Sequence, residues 1–114
     1  MRGVKKEKKI TKKLLKKLEK RERNKKDKEW RLEVKKRDNS QCIVCKRTDY
    51  INCHHIIPRE NKTFRWNIDN GISLCPSHHK FSIELSPHKN PVAFFSWFQK
   101  NRKEQWEKIS KLFD

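Results

Sequence analysis

The sequence predicts a small α+β domain, two short strands and a helix clasped by a metal ion, with a basic helical arm ahead of it and amphipathic helices behind. Three observations predict it. The cysteines Cys42, Cys45, Cys53 and Cys75 and the histidines His54, His55, His78 and His79 crowd into residues 42–79 of a 114-residue chain. The hydrophobic content, 32%, is low for one compact domain, so folding calls for the help that a structural metal gives. Lysine and arginine number 31 against 14 acidic residues, a formal net charge of +17, which points to a polyanion as partner, by default nucleic acid.

Residues 1–28 read as a basic arm, helical or disordered when free. Ile10, Leu14 and Leu18 recur every four residues with Leu15 beside them, a narrow apolar stripe on a cationic helix. Blocks of like charge repel one another and often act as binding arms, so the arm is expected to order on nucleic acid. Residues 29–86 read as the metal-clasped domain. Trp30 and Val34, four apart, lie on a short helix from about Asn24 to Arg37 and pack onto the metal region, and Asp38-Asn39-Ser40 stops that helix.

Lys46 to Asp49 reads as a loop and Tyr50 to Ile57 as a strand ending at Pro58. Strand alternation turns Cys53 and His55 to one face, His54 and Ile56 to the other. Arg59 to Asn67 is a polar connection, Asn70-Gly71 a hairpin turn, and Ile72-Ser73-Leu74 the second strand. Pro76 suits a helix start, with a helix through His78, His79, Phe81 and Glu84 that stops before Pro87. Residues 87–114 place Phe94, Phe95, Trp97 and Phe98, then Trp106, Ile109, Leu112 and Phe113, at spacings that suit one or two short amphipathic helices packing on the core.

The clustered residues form two sets. Cys42-x-x-Cys45 and Cys75-x-x-His78 are paired hooks, each offering two ligands about one turn apart, which suits tetrahedral structural zinc. Cys53 is left over and reads as a small buried hydrophobe. The second set, His54, His55, Asn70 and His79, is not needed for four-coordinate zinc and supplies the catalytic candidates. His88 belongs to neither set and reads as a loop residue.

From about Trp30 to Phe81 the chain resembles the HNH nucleases, whose ββα-metal fold carries a histidine-rich site. The residues that match are His54-His55-Ile56-Ile57-Pro58, Asn70 fifteen residues after His55, and His79 nine after Asn70 within Leu74-Cys-Pro-Ser-His-His79. The resemblance implies a metal-dependent DNA endonuclease on double-stranded DNA. In it His55 acts as general base, Asn70 hydrogen-bonds His55 into its productive tautomer, and His54 and His79 hold one divalent ion, magnesium, manganese, nickel or zinc. Products would carry 5′-phosphate and 3′-hydroxyl ends. Many relatives have Asp where this chain has His54, and the nuclease-toxin branch has a further histidine where this chain has Ile83. Size and basic arm look like those of phage or mobile-element members.

Arg59, Lys62 and Arg65 on the connection between the strands are the expected phosphate contacts, the arginines by bidentate bonds. The alternative function is a non-catalytic zinc-stabilised nucleic-acid-binding module, for which arm and zinc suffice. A zinc base deaminase is excluded, since the required His-x-Glu and Pro-Cys-x-x-Cys pair is missing. No apolar run reaches the roughly 18 residues that span a bilayer, and the first forty residues hold no signal-peptide core, so the expected location is the cytoplasm, where thiols stay reduced.

Overall fold

The computed structural model of the chain describes the backbone of residues 2–112 and the side chains of residues 11–112. The expectations for the Ile10 side chain and for Phe113 lie outside the described residues.

Helix α1 runs from Arg2–Arg37 without interruption. The pattern change near Lys28 leaves no break in it, because Lys, Glu, Arg and Leu all favour helix and no Gly or Pro falls between Asn24 and Arg37. Lys35, Lys36 and Arg37 complement the negative C-terminal end of the helix dipole. The stop lies where it was expected. Asn39 and Ser40 adopt positive φ of 57° and 55°, and the Ser40 N–H turns back to the Lys35 carbonyl at 2.7 Å. The two ends of α1 differ in environment: Trp30 and Val34 are buried against the hairpin, whereas Leu14, Leu15 and Leu18 stand about half exposed.

Strands β1 (Asn52–His55) and β2 (Gly71–Leu74) pair antiparallel, with His55 opposite Gly71 and Cys53 opposite Ser73. Strand β1 is shorter than the expected 50–57. Tyr50 takes φ 54°, outside the extended region of a strand, and at Ile57 the side chain of Asn70 replaces the ladder. The Asn70-Gly71 pair is not a tight hairpin turn either. Ile68–Asn70 is a 3-10 turn ending a long connection, and Gly71, at φ −122°, is already in β2.

Beyond Cys75 the expected helix through Glu84 shrinks to a five-residue π-turn, Ser77–Phe81, closed by the Ser82 N–H on the Ser77 carbonyl at 2.7 Å. Helices α2 (Pro91–Asn101) and α3 (Lys103–Lys111) follow. Asn90 caps α2 by accepting from the Ala93 N–H, with Pro91 in the first turn. Phe94, Phe98 and Ile109 are buried in one core with Ile43, Ile57, Ile72 and Leu74, and Trp97, Trp106 and Leu112 pack at its edge. The small two-stranded sheet thus sits between the C-terminal half of α1 and the two last helices. Among the described residues no helix is long and apolar enough to cross a membrane.

Candidate metal centres and catalytic histidine

The two hooks converge. Cys42 and Cys45 lie on a knuckle closed by the Lys46 N–H on the Cys42 carbonyl at 2.9 Å, while Cys75 directly follows β2 and His78 lies on the π-turn. Cys45 Sγ stands 3.7 Å from Cys75 Sγ, and His78 Nδ1 stands 3.7 Å from Cys42 Sγ and 3.3 Å from Cys75 Sγ. Ligand atoms on a zinc tetrahedron, at bond lengths of about 2.0–2.3 Å, stand about 3.3–3.8 Å apart, so this Cys3His set fits structural zinc. Burial opposes the Cys42 thiolate, but backbone groups of Cys45, Cys75 and Val44 outweigh it and lower the thiol's pKa. That favours the metal-binding form. Cys53 is half-buried against α1, its Sγ 3.4 Å from the Arg31 carbonyl, apart from this set.

A second cluster forms on the other face of β1. His54 Nδ1 lies 3.2 Å from His79 Nε2, and His88 Nε2 lies 3.2 Å from the same nitrogen. These separations suit a cation bound to three imidazoles, with the remaining positions open to water or substrate. Burial, with His79 and His88 alongside, holds His54 down to about 3, and burial, with His88 and Lys80, holds His79 to about 4. At neutral pH both rings therefore present lone pairs.

His88 is a residue that sequence reasoning missed. It supplies an imidazole that Ile83 does not, from five residues further along. The 82–89 loop that returns it is stapled by two serines: Ser82 Oγ accepts from the Leu85 N–H, and buried Ser86 donates to the Ser82 carbonyl and accepts from the Lys89 N–H. The one signal in the sequence was a histidine left without a role close after His79.

His55 faces the opposite way, toward α1. Its ring stacks on Trp30, centroids 3.9 Å apart and planes within 6°. Nε2 lies 2.9 Å from the Arg65 carbonyl, which can only accept, so Nε2 carries the proton and Nδ1 is the basic atom. Burial pushes the His55 pKa down, the Arg65 carbonyl opposing it, and the ring is neutral at pH 7.

Two assigned roles change. Asn70 does not bond His55: fully buried, it accepts from the Ile57 N–H at 2.6 Å and donates to the Ile57 and Phe64 carbonyls at 3.0 Å each, closing the connection between the strands. The Arg65 carbonyl is the hydrogen-bond partner of the His55 ring instead. Nor is Arg65 available as a phosphate clamp, because its guanidinium forms a two-pronged ion pair with Asp27 of α1. Arg59 and Lys62 remain exposed on the connection, and Lys62 shares a groove with Arg23, Lys26 and Trp66. The Lys26 ammonium sits 4.8 Å over the Trp66 ring.

A search of curated proteins and a search of solved structures return no match for the chain. A scan against protein families returns the HNH endonuclease family over residues 42–81. That stretch contains both hooks, His54, His55, Asn70 and His79, and ends before His88. Residues 42–81, a small α+β segment carrying the Cys3His set, thus match the HNH endonuclease family.

Proposed function

We propose that the protein is a metal-dependent DNA endonuclease that hydrolyses phosphodiester bonds with His55 as general base. One observation carries the reading: Nε2 of His55 is committed to the Arg65 carbonyl, which leaves Nδ1 basic on the residue that follows His54, a member of the three-imidazole cluster, in the chain. A water placed at Nδ1 gives up its proton there while its oxygen attacks phosphorus. The bond to the 3′ oxygen breaks, that oxygen takes a proton from solvent, and a 5′-phosphate remains.

His54, His79 and His88 would hold a divalent cation beside the scissile phosphate, where such an ion supplies Lewis-acid neutralisation of phosphoryl and leaving-group charge. Imidazole ligands favour zinc, nickel or another transition ion over magnesium. Arg59 and Lys62 on the connection, with the lysines and arginines of α1, supply contacts to the phosphate backbone of double-stranded DNA.

Cleavage of supercoiled plasmid by the zinc-loaded protein, across added zinc, nickel, manganese and magnesium, tests this. Wild type is expected to cut, and His55→Ala to bind DNA equally but cut about 100-fold or more slowly. No cleavage by wild type with any of these ions would leave a zinc-stabilised nucleic-acid-binding module as the better account, and an equally active His55→Ala variant would remove His55 as the base.

A further inference from the structure

We infer that Asp27, on α1 and outside the family-matched residues, is a positioning residue for the general base, acting through the backbone of Arg65. The inference rests on the nuclease reading for its kinetic consequence only; the geometry stands apart from it.

The His55 ring is fixed on its face by Trp30 and on its edge by the Arg65 carbonyl. A carbonyl can orient an imidazole only if it is itself held, and Arg65 lies in a connection of turns between Ile56 and Asn70. Three consecutive residues of that connection are tied to one turn of α1. Arg65 Nε and Nη2 donate to Asp27 Oδ1 and Oδ2 at 2.9 and 2.7 Å, and Trp66 Nε1 donates to Asp27 Oδ1 at 2.8 Å. Trp30 Nε1 donates to the Asn67 carbonyl at 2.8 Å. Asp27 and Trp30 are three apart and so share a helix face.

From behind, Asn70 Nδ2 holds the Phe64 carbonyl. Residues 64–67 are thereby clamped from both sides, and the direction of the Arg65 carbonyl follows. The forked Arg–carboxylate bond fixes orientation as well as distance, which a single ammonium contact would not. Both side chains of the pair are only 15% and 17% exposed, so water competes poorly for it. The same Trp30 that caps the Asn67 carbonyl is the platform under His55. One turn of α1 therefore holds the base by face and, through Asp27, by edge.

The test uses the full zinc-loaded chain with Asp27→Asn, which keeps shape but loses the charge-assisted fork, and Arg65→Lys, which keeps charge but loses the fork. Long-range 1H–15N spectra of the His55 ring at one fixed pH report its tautomer without any need for catalysis. Wild type should show the single Nε2–H form, and both variants a mixture. In cleavage, kcat should fall about tenfold or more while the DNA Kd stays within about twofold, and Asp27→Glu should recover part of the loss. A single Nε2–H tautomer in both variants, or mixed tautomers with unchanged kcat, would overturn the inference. If wild type cuts nothing, the nuclease reading fails, and the tautomer spectra alone still decide whether Asp27 orients the ring.

Discussion

Gly71 shows how a residue can be legible for the wrong reason. The Asn-Gly pair marks a tight turn in sequence, yet Gly71 is needed because α1 comes so close: a Cβ there would lie 2.5 Å from both Trp30 Cζ2 and Val34 Cγ2. Gly71→Ala must displace the indole that supports His55. It is expected to cost about 1–3 kcal/mol in urea unfolding and to lower kcat in the same protein. Asn70 offers a sharper contrast. Asn70→Asp keeps the acceptor for the Ile57 N–H but turns an oxygen toward two carbonyls, so it should be at least as destabilising as Asn70→Ala, which takes the acceptor from the buried Ile57 N–H at a cost of about 1–3 kcal/mol. Equal stability of wild type and Asn70→Asp in the same titration would contradict the buried bonding. That Asn70 mattered was readable from its spacing. Its partners were not, because they depend on how fifteen residues fold back. Arg65 was misread for a similar reason, its carboxylate partner lying 38 residues away on an arm expected to be separate.

At the scale of elements, the π-turn does what an ordinary helical turn was expected to do, but in five residues. It sends neighbouring imidazoles to different clusters: His78 to the Cys3His set and His79 to His54 and His88. The dependence should run one way. Cys42→Ser is expected to lose zinc and, with the π-turn unfastened, to weaken binding of the second ion as well. His88→Ala should weaken only the second ion. Metal content after dialysis, with cobalt absorption spectra to separate thiolate from imidazole sites, checks both. Retention of the second site in Cys42→Ser would show the turn to be held by packing alone. Both hooks and the two strands were visible in the sequence, since spacing carries them, while a longer helix was expected where the π-turn stands. The loop that returns His88 was not, because its serine staples have no spacing signature of their own.

Across the whole molecule, Asp38 joins parts distant in the chain. Its carboxylate accepts from Arg37 at the end of α1, from Arg102 between α2 and α3, and from the Ser73 N–H of β2. Burial alone would raise its pKa, but Arg37, Arg102 and Ser73 more than offset that and hold it below the usual carboxylate range. A depressed folded pKa contributes stability above the unfolded value, near 3.9, which is lost as pH falls through the folded one. Asp38→Asn should therefore be less stable than wild type at pH 7, by about 1–3 kcal/mol, with the gap closing as the solution is acidified. A gap constant with pH, in denaturant titrations at several pH values, would assign it to packing. The charge of the molecule sets a further expectation: DNA affinity should fall at least tenfold between about 50 and 200 mM salt.

The uninterrupted helix also acts as a ruler. From Arg2 to Asp27 it covers 25 steps of about 1.5 Å, or about 37 Å, close to the repeat of one duplex turn. With its C-terminal half tied to the His55 region through Asp27 and Trp30, the arm would reach, in the proposed nuclease, a fixed span from the cut. A footprint on nicked DNA should accordingly be lopsided, extending about ten base pairs further on one side of the cut than on the other.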